Sequence, residues 1–519
     1  MAQKYVIGID AGTTGCRTVI FDLKGNEIGS GYRENPLRYP QAGWVECSVD
    51  ASIENCYDST HEALQKTGID PKEVASISFT YMRPVACLRG EDGTWVRDIQ
   101  MWQDMRCASI FPWMTEQLAK HGMTPDDLYD ITGFPYSTVW MLGKFAWIQQ
   151  NEPEVWARTK YLNNLHGVLA HAYGCEDYIE DSEDLGWWQL NNANDFTWNE
   201  KLCEVFNIDP AMLPKHAPTG TVIGAVSREV AQRTGLAEGT PLVAGLGDQQ
   251  CAAVGMGNIR EGMASLVLGT AGVLVCQSEK PIRDPNRKAH VIGSALHKWE
   301  IEGHASAAAS SFKWIRQTFG HMEETTAGLT GMDVNDLLTA QAAKAQPGSQ
   351  GLIYIPWLAG AAMPIYDTNA RGAFIGMTFG HRKCEILRAG MEGVCYEMRS
   401  MLEAIQRAGI EKPEFLRIGG GASRSSLWNQ ISADVYGVPV ETVKTFECTA
   451  LGAAIMGAIG VGVFKDLEDA TGAMVHVTGR WEPIPENVRI YNELYQVFLD
   501  SYYALSDKVF PAIAKHQGL

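Results

Sequence analysis

The chain has no basic excess. With a formal net charge of -18 over 519 residues, it carries no electrostatic footprint for nucleic acid or an anionic membrane, so an anionic ligand would need a local positive site. Paired cysteines are missing too. The twelve cysteines are dispersed without a CxxC pair and read as reduced, mostly buried thiols; neither they nor the scattered histidines fall at zinc spacing. Long apolar runs are also absent: the stretch 451–464 is interrupted by glycine and falls short of the ~20 residues of a membrane span. The N-terminus lacks the basic, apolar and small-residue succession of a signal peptide, because Tyr5 to Ile9 is short and leads into a turn, so a cytoplasmic location is expected. What is present is ordinary for a folded protein: 45% hydrophobic and 20% charged residues. The length exceeds what one core serves, and two or more domains are expected.

Strand-like and helix-like segments alternate, which predicts an α/β protein. The first strand, Tyr5 to Ile9, delivers Asp10 into the turn Ala11 Gly12 Thr13 Thr14 Gly15, and Thr18 to Asp22 resumes as a second strand. A carboxylate at a strand tip, followed by backbone amides and hydroxyls, suits a magnesium-bound phosphate; a plain Gly-rich hairpin is the alternative. The Rossmann fingerprint and the P-loop are set aside, since both need a helix after the glycines. Ala264 to Val275 repeats the design around Gly269 Thr270. Two copies of one phosphate-binding module are therefore expected, one opening each domain, with the boundary near Gly257.

Between them, the strand Pro241 to Gly247 ends at Asp248 Gln249 Gln250 and a helix-like run. A carboxylate at a helix N-terminus is held ionised by the free amides and the macrodipole, as a general base toward an alcohol requires; read alone, the segment serves first as a helix cap. A third glycine cluster, Gly419 Gly420 Gly421 before Ala422 Ser423, lies between a strand and a helix. It leaves room for the flat ring of a nucleoside, or makes a tight turn. Cys448 to Ala454 predicts a small-residue helix able to pack closely, and Lys144 to Gln150 a helix with Phe145 and Ile148 on one face. The stretch 176–184, with six carboxylates ahead of Trp187 Trp188, reads as a solvated charge run on an insertion or a substrate-side loop.

Together these segments resemble the FGGY family of carbohydrate kinases, within the wider superfamily of actin, hexokinase and heat-shock chaperones. The likeness runs over essentially the whole chain. Asp10 to Arg17 matches a first phosphate motif, Gly247 to Gln250 a catalytic-base motif, Leu268 to Gly272 a second phosphate motif, and Gly419 to Ser423 with Thr449 to Ala454 an adenosine site. The segment from Ile355 to Gly376 is the most specific match. The resemblance implies two actin-like (ribonuclease H-like) α/β domains, 1–256 and 257–519, with an ATP and substrate cleft between them. It also implies ATP-dependent phosphorylation of a sugar or polyol hydroxyl. Asp248 would accept the hydroxyl proton and Asp10 would hold Mg2+. Thr13, Thr14, Arg17, Gly269 and Thr270 would orient phosphates, and Gly420, Gly421 and Ser423 would face the nucleoside.

For the substrate, the resemblance points to Arg83, Trp102, Asp248 and Gln249, with Tyr81 and Tyr136 as weaker candidates. Trp102, Asp104 and Arg106 are similar to a xylulokinase pattern, yet Met82 Arg83 Pro84 stands where xylulokinases carry Met-His. Arginine there is similar to glycerol kinases and autoinducer-2 kinases, which follow it with glutamate; Pro84 offers no side-chain acceptor. Arg83 pairing with a carboxylate of the protein is the structural alternative. A pentulose or related open-chain sugar is the first reading of the substrate, and an autoinducer-2 or glycerol-type polyol kinase the second. A nucleotide-dependent chaperone-like protein and a non-catalytic sugar sensor are the rivals from other classes. No nucleic-acid or membrane partner is expected, and a homo-oligomer stays open.

Overall fold

The computed structural model describes residues 3–305 and 307–517. The chain divides into two compact units. The first comprises 1–260, 277–301 and 447–476, and the second 261–276, 302–446 and 477–519. The division after Arg260 lies close to the expected boundary at Gly257, while two later segments cluster with the first unit.

The first unit is built on a six-stranded sheet of β1 (Tyr5–Ala11), β2 (Gly15–Asp22), β3 (Glu27–Glu34), β4 (Val74–Tyr81), β5 (Val222–Ala225) and β6 (Pro241–Gly247), in the order β5-β6-β4-β1-β2-β3. β1 runs antiparallel to β2, with Asp10 opposite Arg17, and parallel to β4, which is parallel to β6. β1 and β4 are buried on both faces, as parallel neighbours covered by helices must be, although β4 alternates Ser76, Ser78 and Thr80 with its apolar residues. α1 (Val49–Thr67) opens on Ser48, whose side chain accepts from Ala51 N, and closes at Gly68 in the left-handed conformation. α2 (Met141–Asn151) contains the expected helix, but Met141 to Ile148 are all buried. It is a core helix, and its one cation is satisfied internally: Lys144 Nζ donates to the carbonyls of Met101 and Thr138 at 3.0 and 2.8 Å.

In the second unit, five successive strands repeat the same arrangement. β7 (Met263–Leu268) and β8 (Gly272–Ser278) form a hairpin, β9 (Phe415–Gly419) and β10 (Val440–Val443) continue parallel to β7, and β11 (Val477–Trp481) closes antiparallel. Each unit thus carries a hairpin, two parallel strands beside it and an antiparallel edge. That is the duplication expected from the two glycine-threonine turns.

Among the described residues, no helix is long and apolar enough to cross a membrane.

One sequence reading is corrected here. The acidic stretch is not a solvated charge run: Glu180, Asp181, Glu183 and Asp184 are 1%, 1%, 0% and 2% exposed, and only Glu176 and Asp177 face solvent. The reason is backbone amides. Glu180 accepts from Asn164 N at 2.8 Å, Asp181 from Asp184 N at 2.9 Å, Glu183 from Thr219 N and His297 N at 3.1 and 3.0 Å, and Asp184 from Gly247 N at 2.7 Å. A buried carboxylate is tolerated where donors converge on it, and composition alone does not reveal those donors.

Candidate active site

In the first unit the chemistry gathers at the C-terminal ends of parallel strands. β1 ends around Asp10, β4 ends at Tyr81, and β6 runs into α3 (Asp248–Gly255). Gly247 is the N-cap of α3, and Asp248 is its first residue. The Asp248 carboxylate accepts from its neighbour's amide, Gln249 N, at 2.8 Å and from Arg83 Nε at 3.0 Å. It keeps 31% of its side chain exposed while Arg83 keeps 2%. A helix-terminal carboxylate with a buried guanidinium behind it and an open front can take a proton from a substrate hydroxyl.

Asp10 is half-buried, and its Oδ1 is a buried oxygen without a hydrogen-bond partner. Burial, with Asp248 and Glu447 adding like charge against the pull of Arg17, pushes its carboxyl up to about 8. An oxygen held dry and unpaired beside a second carboxylate fits a hard cation. Among the described residues there is no group of three or more His, Cys, Asp or Glu able to hold a metal. A magnesium ion here would therefore take most of its ligands from phosphate and water, as that ion commonly does.

The remaining first-unit candidates divide. Thr13 Oγ1 accepts from Trp102 Nε1 at 2.9 Å, which ties Trp102 to the turn after β1, and Thr14 is exposed. Arg17 is engaged by Glu447, with Nε at 3.4 Å, and lies 5.0 Å over the Tyr32 ring. Gln249 has a buried Oε1 without a partner, as has the hydroxyl of Tyr136. Arg83 takes the pairing that the sequence left as its structural alternative. Besides Asp248 it bonds Gln250 Oε1 and lies 4.3 Å over the Trp187 ring. Asp104 and Arg106, sequence neighbours of Trp102, form a buried two-pronged pair at 2.8 and 2.7 Å. Tyr81 is fully buried, and its hydroxyl lies 2.6 Å from both Asp181 and Asp184. Asp184, Trp187 and Gln250 were not among the sequence candidates. Gln250 stood within the quoted motif, whereas Asp184 lay hidden in the supposed charge run.

The second unit holds a cavity of about 590 Å³ lined by Gly269, Thr270, Gly420 and Gly421, together with Lys313, Arg424, Trp428 and Phe446. The turn between β7 and β8 is fixed by its own bond, Gly269 N to Ala271 O at 3.0 Å. It is also fixed by α4 (Ala309–Phe319), whose first amides reach the Gly269 and Thr270 carbonyls. Gly420 adopts φ 82°, and a Cβ there would sit 2.5 Å from the Leu268 carbonyl oxygen. Gly421 has nothing within 4 Å of the place its Cβ would take. That open space on the cavity wall leaves the backbone exposed to a flat ligand. Arg424 lies 4.3 Å over Phe446. Ser423 turns its hydroxyl to the Gly420 carbonyl at 2.7 Å and does not line the cavity. Arg424 and Trp428 of that lining follow the glycine cluster closely, whereas Lys313 and Phe446 come from positions distant in sequence, where no local signal marks them. The segment from Ile355 to Gly376 is structural in its visible contacts: its strands pair Ile355 with Ala373, and buried Trp357 donates to Glu397 at 3.1 Å.

α5 (Cys448–Gly460) belongs to the first unit and crosses α3 at glycine. A Cβ at Gly452 would lie 1.9 Å from the Cys251 carbonyl oxygen, the close approach expected of a small-residue helix.

A duplicated α/β fold with a carboxylate pair at strand ends and a glycine-walled cavity is compatible with a sugar kinase, and the family models show that class. The model of the FGGY family of carbohydrate kinases, N-terminal domain, matches residues 5–255, and that of the C-terminal domain matches residues 264–461. The chain belongs to the FGGY family of carbohydrate kinases and is an enzyme of that class. It is 29% identical over 506 residues to a xylulose kinase of Staphylococcus epidermidis, covering 96% of each chain. To a gluconokinase of Bacillus licheniformis it is 27% identical over 514 residues, covering 99% of this chain and 98% of the relative. Among solved structures, a ligand-bound xylulose kinase from Lactobacillus acidophilus superposes with a TM-score of 0.88 at 23% identity, over 97% of this chain and 99% of that one. Plasmodium falciparum glycerol kinase with ADP gives 0.84 at 21% identity, over 96% and 98%.

Proposed function

We propose that this enzyme transfers the γ-phosphoryl group of ATP to a hydroxyl of a small, uncharged sugar or polyol, first among them a pentulose or related open-chain sugar. Asp248 is the general base. The observation that carries the reading is the Asp248 carboxylate at the start of α3, held from behind by Arg83 and open in front. The residues proposed for ATP are Thr13, Thr14 and Arg17 in the first unit, and Gly269, Thr270, Gly420 and Gly421 in the second. Support for the nucleoside comes from the open wall at Gly421 and the basic and aromatic lining of that cavity. Asp10 would hold Mg2+, which supplies charge neutralisation on the phosphates when bound. In phosphoryl transfer the protein's share is positioning and electrostatics, so Asp248 orients the attacking hydroxyl and relieves it of its proton.

Gluconokinase and xylulose kinase stand side by side among the relatives, and charge separates their substrates. Arg83 is a cation at the Asp248 site, and it is engaged by Asp248, Gln250 and the Trp187 face. A sugar acid would have to draw it away from these partners, which favours an uncharged substrate. A glycerol-type or autoinducer-2 kinase is the second reading, favoured by arginine at position 83. All twelve cysteines are thiols without a disulfide, which supports a reducing, cytoplasmic compartment.

Coupled ADP release over a panel of pentuloses, glycerol, gluconate and the autoinducer-2 precursor tests the reading. Turnover with a neutral member is expected. Preference for gluconate would overturn the charge argument, and ATP hydrolysis indifferent to every sugar would overturn the kinase assignment in favour of a chaperone-like or sensing role.

A further inference from the structure

A buried polar network lies directly behind Asp248. Asp184 is 2% exposed and has four donors aimed at its two oxygens. Gly247 N and the Tyr81 hydroxyl reach Oδ2 at 2.7 and 2.6 Å, while Trp187 Nε1 reaches Oδ1 at 3.0 Å beside Gln250 Nε2. Gln250 turns its other end, Oε1, to Arg83, whose Nε bonds Asp248. The Trp187 ring, fixed through its own N–H by Asp184, is the surface on which the Arg83 guanidinium lies. Two supports of the Asp248 carboxylate therefore lead back to one side chain: the backbone of Gly247 immediately before it, and Arg83, which reaches Asp184 through Gln250 and Trp187 and lies 4.0 Å from its Oδ1.

Proton counting bears on the state of this cluster. The Tyr81 hydroxyl has one proton and lies 2.6 Å from a carboxylate oxygen of Asp181 and of Asp184. Two contacts that short need two protons, so one carboxyl must supply the second. Burial raises both carboxyls, Asp181 well above the ordinary carboxylate range with the charge of Asp184 adding to the push; what distinguishes them is geometry, since four donors converge on Asp184. The convergence of donors on Asp184 favours its ionised form and leaves the shared proton to Asp181.

We infer that Asp184 is a positioning residue for phosphoryl transfer, setting the orientation of Asp248 through Gly247, Gln250, Trp187 and Arg83. This rests on Asp248 being the base. An amide at position 184 presents one oxygen and one NH2 group, so two of the four donors would meet a donor. The Gln250 and Trp187 tethers of Arg83 are then the ones to give way, and Asp248 loses its fixed aim. A displacement of the order of 1 Å at a reacting group costs about 10²-fold in rate.

A double-mutant cycle separates positioning from mere support of the fold. Turnover, sugar KM, ATP affinity by titration and melting temperature are measured for wild type, Asp184→Asn, Asp248→Asn and the double variant. The expected result is a loss of about 10- to 100-fold in kcat for Asp184→Asn, with ATP affinity within about twofold of wild type, and no further loss when it is added to Asp248→Asn. An equal loss in both backgrounds, or no loss in either, would overturn the inference and leave Asp248 as base intact. Wild-type turnover in Asp248→Asn would instead overturn the base assignment itself. Should Asp184→Asn fail to fold, Gln250→Met enters the same cycle. It keeps the volume of the buried side chain and removes the bridge between Asp184 and Arg83, and the same two outcomes decide.

Discussion

Replacing Asp10 by asparagine should make the metal-free protein more stable and the enzyme inactive, and the gain should depend on pH. Burial and the neighbouring carboxylates hold Asp10 at about 8 in the folded chain, against an ordinary value of 3.8. The folded state therefore keeps a proton that the unfolded chain releases. The associated stability is fully present below pH 4 and is lost as pH rises through about 8. At about 1.4 kcal/mol per unit, this interval has a ceiling near 5–6 kcal/mol. The side chain is half-buried, and screening by solvent brings the expected figure to about 1–3 kcal/mol. At roughly 2 cal/mol/K per residue, unfolding entropy for a chain of this length converts that to about 1–3 °C in Tm. The assay is thermal melting of wild type and Asp10→Asn in chelator-containing buffer from pH 4.5 to 9. The Tm difference should be smallest at pH 4.5, grow through neutrality and level off above pH 8. With Mg-ATP added at neutral pH, wild type should gain Tm and the variant should gain little, since a ligand stabilises only the form that binds it. A variant less stable than wild type at pH 8.5, or a difference equal at pH 5 and 8.5, would refute the account of Asp10 as a dry carboxylate kept for a cation.

Two neighbouring glycines should respond differently. Gly420→Ala places a Cβ 2.5 Å from the Leu268 carbonyl at φ 82°, and should cost about 1–3 kcal/mol, read as a lower Tm. Gly421→Ala meets nothing within 4 Å, so Tm should hold within about 1 °C while ADP affinity, read by titration, falls severalfold. Unchanged affinity would remove the cavity from the nucleotide reading. Asp104→Asn breaks the buried pair with Arg106 and should cost about 3–5 kcal/mol. Chemical denaturation checks this, and a loss below about 1 kcal/mol would show the pair to be dispensable.

The fold was legible where local pattern determines it. Both hairpins and the strand into Asp248 follow from apolar runs that stop at glycine, threonine and a carboxylate, and the small-residue helix at Cys448 to Ala454 meets its neighbour as its composition requires. The carboxylates of the proposed site could be named from the sequence, and their supports could not. Glu180 to Asp184 carry the signature of a solvated run, and only the tertiary convergence of amides from Asn164, Thr219, Gly247 and His297 makes them interior. For the same reason Arg83 could not be assigned from sequence. Its choice between substrate and protein depends on Gln250 and Trp187, more than a hundred residues away, and Phe446 joins the cavity with no local mark at all.

The most direct test of the central claim is turnover of Asp248→Asn with a sugar that wild type phosphorylates, measured alongside ATP affinity. The structure puts this carboxylate at the start of α3 with Arg83 behind it. The expected result is a fall in kcat of ~10²-fold or more with ATP affinity preserved, as for loss of a general base. Turnover within about threefold of wild type would contradict the account.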